Sequence, residues 1–127
     1  MNIVRLVELL DACAATVAPF GETVSPGDRR WNGSEYVSVT ERQLGDPHAK
    51  AWAVSFSTAS GLLKHQDQVT IAQVHFLRKQ FLGGMGSFND FRLATERWGT
   101  AGGEANERLS RLRQQLHETL TSIEPSA

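Results

Sequence analysis

A chain of 127 residues, 40% hydrophobic and 21% charged, has the length and balance of one globular domain with a real core. Its formal net charge of -1 excludes both the broad basic footprint of a nucleic-acid binder and the strongly acidic surface of a nucleic-acid mimic. A single cysteine, Cys13, rules out an intramolecular disulfide and a zinc–cysteine cluster, and fits a reducing cytoplasm.

Ile3, Leu6, Leu10, Cys13 and Val17 recur at steps of three and four, which predicts a first amphipathic helix ended by Pro19 and Gly21. Cys13 falls on the apolar face and reads as a buried, inert thiol. No basic region precedes a long apolar run at the start, so neither a signal peptide nor a membrane span is expected, and the expected location is cytoplasmic.

Residues 20–34 read as a long loop punctuated by Gly21, Pro26, Gly27, Asn32 and Gly33. Within it Arg29, Arg30 and Trp31 form a candidate contact surface, because paired guanidinium groups beside an indole suit a phosphate or an acidic protein partner. The plainer alternative is a solvated turn with Trp31 folded onto the core. Residues 34–44 admit two readings. Asn32-Gly33 ahead of Tyr36, Val37 and Val39 fits a hairpin turn feeding a strand, although Arg29 to Trp31 make a poor partner strand. The spacing of Val37, Thr40 and Leu44 fits a helix capped by Ser34 and stopped at Gly45. The helix is preferred, against the β-branched residues in it.

Asp46-Pro47 is a helix start, with an Asp N-cap and proline in the first turn. Ala49, Trp52, Ala53, Phe56, Ala59 and Leu63 trace the apolar stripe of that helix. Thr70 and Gln73 make a capping box for a third helix, with Ile71, Val74, Leu77 or Arg78, and Phe81 on one face. Val69, Ala72 and Phe76 widen the face and predict burial on two sides.

Three glycines then fall within four residues, at Gly83, Gly84 and Gly86. Gly83 sits where a helix ends on a left-handed residue, Ser87 suits an N-cap with Asp90 three residues on, and Met85 and Phe88 are expected to face inward. The stretch lacks the Lys-Ser/Thr pair of a phosphate-binding P-loop, and a helix rather than a strand precedes it, so a structural turn is the first reading. A loop of Gly83, Gly84, Met85, Gly86 and Ser87 that receives an anion or small ligand is the alternative.

The run Gly83-Gly84-Met85-Gly86-Ser87-Phe88-Asn89-Asp90 resembles the signature of a family of small, uncharacterised bacterial proteins with a Gly-Gly-Met-Gly-Ser-(Phe/Leu)-Asn-Asp motif. The likeness is close over these eight residues, looser across roughly 46–123, and does not extend to the first forty or so residues. It implies a small, mainly helical, cytoplasmic bacterial protein and carries no catalytic residues with it.

Phe91, Leu93 and Trp98 precede a glycine-rich linker over 99–103. The last helix shows Leu109, Leu112, Leu116, Leu120 and Ile123 in near-heptad steps, with Glu104–Arg108 and Glu107–Arg111 four apart. It packs on the core or, on a second reading, forms a homodimer seam over 104–123. Among His48, His65, His75 and His117 no metal-binding pair stands at helical spacing, and no serine lies in a nucleophile elbow. Neither a cofactor nor a metal is expected, and a binding protein is favoured over an enzyme.

The sequence therefore predicts one all-α domain over 1–127, of four or five helices with a long loop after the first. Its expected function is protein binding, most concretely that of an immunity protein neutralising a cognate toxin or effector domain through Arg29, Arg30, Trp31, Asn89 and Asp90. Neither a membrane nor nucleic acid is an expected partner.

Overall fold

The computed structural model describes residues 2–23, 25–31, 35–38, 44–83 and 87–125. Its helices are α1 (Asn2–Val17), α2 (Pro47–Leu63), α3 (Ile71–Leu82) and α4 (Thr95–Ser122), and they make the expected all-α body. A short 3-10 turn (Ala18–Gly21) follows α1, and a second (Phe88–Asp90) precedes α4. No helix is long and apolar enough to cross a membrane among the described residues.

α1 lies between α2 and α4 and packs on both. Leu6, Leu9, Leu10, Cys13 and Val17 are buried along it, as their spacing requires. The Cys13 thiol is fully enclosed, and burial pushes it from near 9 up to about 12, against the pull of Arg113 and then Arg108. The unfolded chain ionises this thiol first, so its contribution to stability is complete below about pH 9 and is lost as pH rises towards 12. Urea melts between pH 9 and 11 should lose about 1.4 kcal/mol per pH unit from this group, and Cys13→Ala should abolish that slope. A slope unchanged in the variant would refute the assignment.

α2 and α3 start where the local chemistry directs. Asp46 accepts hydrogen bonds from the amides of His48 (2.8 Å) and Ala49 (3.3 Å), with proline in the first turn. Thr70 and Gln73 form the complete capping box. The Gln73 amide also pairs reciprocally with that of Gln66, at 2.8 and 2.9 Å, which closes the connector between the two helices.

An aromatic cluster joins α2, α3 and the second 3-10 turn. Phe56 and Phe81 stack with centroids 4.4 Å apart, and Phe88 meets Phe56 edge-on at 4.5 Å. Trp52, half-buried, caps the cluster at 5.4 Å from Phe88. α4 supplies the opposite wall through Leu109, Leu112, Leu116 and Leu120, all buried within the protomer. Its outer side carries Glu104, Glu107, Arg108 and Arg111.

Four expectations need correction. The helix favoured over 34–44 gives way to strand β2 (Tyr36–Ser38), which pairs antiparallel with β1 (Arg29–Trp31). Ser34, the expected cap, and residues 39–43 lie outside the described residues. Strand preference at Tyr36 and Val37 outweighs the helical spacing, and Arg29 to Trp31 can serve as a partner because a solvent-exposed ribbon asks no apolar face of them. Second, the 99–103 linker is helical beyond Gly99, whose φ of 58° and ψ of -141° mark the one break in α4. Gly102 is buried against Trp98, where an added Cβ would stand 2.6 Å from the Trp98 Cβ, and this packing outweighs the weak helix propensity of glycine. Third, Gly83 ends α3 in an extended conformation (φ -70°, ψ -169°), not a left-handed one; it is required there by space, since a Cβ would lie 2.5 Å from the Lys79 carbonyl oxygen. Fourth, α3 is buried on one side only. Val74, Leu77 and Phe81 face the core, and Val69 just ahead of the helix is buried as expected, whereas Ile71, Ala72 and Phe76 are exposed.

Candidate functional site

Two surfaces hold the residues that the sequence singles out. The first is the insert between α1 and α2. Its neck is closed by the Asp46 amide donating to the Phe20 carbonyl (2.7 Å) and by the Gly45 amide donating to the Thr23 hydroxyl (3.1 Å). The two chain segments cross so closely that a Cβ on Gly45 would overlap the Gly21 carbonyl. Beyond the neck, Asp28 and Ser25 bond each other, through Asp28 Oδ2 accepting from the Ser25 amide (2.7 Å) and the Ser25 carbonyl accepting from the Asp28 amide (3.0 Å). β1 and β2 follow in the register Arg29–Ser38, Arg30–Val37, Trp31–Tyr36.

This ribbon packs chiefly on itself. Arg29, Glu35, Tyr36, Val37 and Ser38 are all exposed, Tyr36 at 60%. Backbone pairing places Arg30 and Trp31, but their side chains lie outside the described residues.

The second surface is the 87–92 segment, the end of the glycine-rich motif. Gly84, Met85 and Gly86 lie outside the described residues, as does the Asp90 side chain. Ser87 caps the 3-10 turn as expected, accepting from the Asn89 amide (3.3 Å) while its hydroxyl donates to the Gly83 carbonyl (2.6 Å). Three residues of 3-10 helix make too short a dipole to attract an anion on their own. Phe88 is fully buried in the aromatic cluster, and Asn89 is exposed. The turn packs on α3 and the ribbon on itself, so the structure places the two halves of the predicted contact surface on separate elements.

Two α4 residues that the sequence analysis passed over hold this segment. Asn106 pairs with both backbone groups of Leu93, accepting from its amide (2.8 Å) and donating to its carbonyl (2.9 Å). Arg113 is 5% exposed. It donates to the carbonyls of Phe88 (Nε and Nη2, both 3.3 Å) and Phe91, and its guanidinium lies 4.5 Å from the centre of the Phe88 ring. Its Nη1 has no hydrogen-bond partner among the described residues. Burial, then the like charge of Arg92, lowers its pKa to about 10, so it remains a cation at neutral pH. The signal for Arg113 was its position, four residues after Leu109 and three before Leu116, inside the leucine stripe.

Beside this segment lies a cleft of about 550 Å³. The start of α2 contributes His48, Trp52 and Ser55, with the capping carboxylate of Asp46 at the edge. Gln80 closes it from α3, and Phe91 and Arg92 from the segment. Among the described residues no group of His, Cys, Asp and Glu is arranged to hold a metal ion. No protein-family model, no curated protein and no solved structure matches the chain.

Proposed function

We propose that this chain is a protein-binding module whose docking element is the β1–β2 ribbon. Its most concrete form is an immunity protein that occludes a cognate bacterial toxin. The observation that carries the reading is a ribbon clamped at its neck yet burying none of its described side chains. A lone two-stranded ribbon is marginal in water, so one displayed in this way gains from a surface that covers it. Its edges offer backbone donors and acceptors for strand addition, and arginine and tyrosine are residue types enriched where protein interfaces carry their energy.

Affinity capture from the host cells, followed by co-expression, tests it. A single stoichiometric protein that is toxic alone and harmless beside this chain is the expected result. Tyr36→Ala and Arg29→Ala should leave the melting temperature unchanged while together weakening binding by about 2 kcal/mol or more, roughly thirtyfold. Full-strength binding by the double variant would remove the ribbon from the interface, and recovery of the chain alone would overturn the protein-binding reading.

A further inference from the structure

The cleft has a chemistry of its own. One wall is aromatic: Trp52 packs at 6.0 Å from Phe81 and 5.4 Å from Phe88, and Phe91 lies nearly parallel to Phe88 at 5.9 Å. Both Trp52 and Phe91 are half-buried, so each ring keeps part of its surface open. The polar groups around them are largely uncommitted. Neither the Gln80 amide nor the Ser55 hydroxyl has a hydrogen-bond partner among the described residues, although both are half-buried. Arg92 uses Nη1 to reach the carbonyls of Asn89 (3.0 Å) and Phe91 (2.7 Å), and its Nε and Nη2 have no partner among the described residues.

The charge balance points the same way. Arg92 and the buried Arg113 are close enough to repel each other, and neither forms an ion pair with a carboxylate among the described residues. Asp46 on the rim turns Oδ1 to the amides of His48 and Ala49, and its negative charge sits at the α2 N-terminus, whose dipole offsets it in part. The cleft thus joins flat apolar surface, neutral donors and acceptors, and the guanidinium of Arg92. Its volume of about 550 Å³ has room for a small organic ligand lying along an open face.

We propose that this cleft binds a flat aromatic anion, with the ring against Trp52 and Phe91, its polar edge meeting Gln80 and Ser55, and its carboxylate or phosphate on Arg92. The guanidinium fork offers two donors to an oxyanion, and the rings supply stacking. The cleft shares no lining residue with β1 or β2, so its occupancy and partner binding are separately measurable.

The test titrates the full chain, observed by amide NMR at Ser55 and Gln80, with 1-naphthoate as an aromatic carboxylate and adenosine monophosphate as an aromatic phosphate. Adenosine and inorganic phosphate are the half-ligand controls. At least one of the first two is expected to bind with Kd below about 1 mM, and each control at least about tenfold more weakly. Naphthoate alone would assign a carboxylate ligand, adenosine monophosphate alone a phosphate. Arg92→Gln should weaken the better ligand about tenfold or more. Ser55→Leu, from a different element, should block the cleft whether or not the arginine variant folds fully. No shift at Ser55 or Gln80 with either probe at about 10 mM would overturn the proposal, as would binding unaffected by both substitutions.

Discussion

Gly45→Ala should lower the melting temperature by roughly 10 °C, for an overpacking cost of about 2–3 kcal/mol in a domain of this size. The new methyl would overlap the Gly21 carbonyl, a backbone atom that no rotamer change can move aside. Relief requires parting the neck, which breaks the bond from Asp46 to Phe20 and pulls on the N-cap that starts α2. The informative control is the same chemical change at Gly61, an exposed α2 position where an added Cβ meets nothing within 4 Å. There alanine gains helix propensity, up to about 1 kcal/mol, and Tm should rise by a few degrees. Thermal melts of the two variants should move in opposite directions. A Gly45→Ala protein as stable as the parent would show that the neck is not close-packed.

Removing Arg113 is expected to cost more. Arg113→Ala would remove charge-assisted bonds to the carbonyls of Phe88 and Phe91, worth about 1.5–3 kcal/mol together even though the Phe91 amide and Arg92 Nη1 still reach those oxygens, and would leave a void beneath the Phe88 ring. A loss of about 3–5 kcal/mol is the expected result in urea denaturation. Arg113→Met separates the two contributions. It restores much of the volume and relieves a buried charge, yet supplies no donor, so it should recover part of the loss and not all of it. Full recovery by methionine would mean that the side chain acts by filling space. No loss with alanine would mean that the 87–92 segment is held by Asn106 and Phe88 without it.

These two residues also mark where sequence reasoning reached and where it stopped. Helix starts were legible because a cap is local: Asp46-Pro47 and the Thr70–Gln73 box name their own bonds. The buried stripes of α1, α2 and α4 were legible for a related reason, since a helix repeats its face every three or four residues. What lay hidden was set by contacts distant in sequence. The helical course of Gly102 follows from packing against Trp98, and no propensity announces it. The ribbon was readable as one of two alternatives, and lost to a helical spacing that Tyr36 to Ser38, as a strand, do not follow. Ser87 was correctly seen as a cap, but its place on a cleft is decided by Trp52 and Gln80 from two other elements.

The closed neck has a kinetic consequence. The amide of Asp46 is locked to Phe20 at the junction with the helical body, whereas the amides of Arg29 to Trp31 and Tyr36 to Ser38 lie in a ribbon that packs chiefly on itself. Hydrogen exchange should therefore divide the insert at this point. Deuterium should enter Asp46 only when the whole domain unfolds, and should enter the ribbon through low-energy openings that leave the four helices intact. Any molecule that covers the ribbon would announce itself by slowing the second class towards the first.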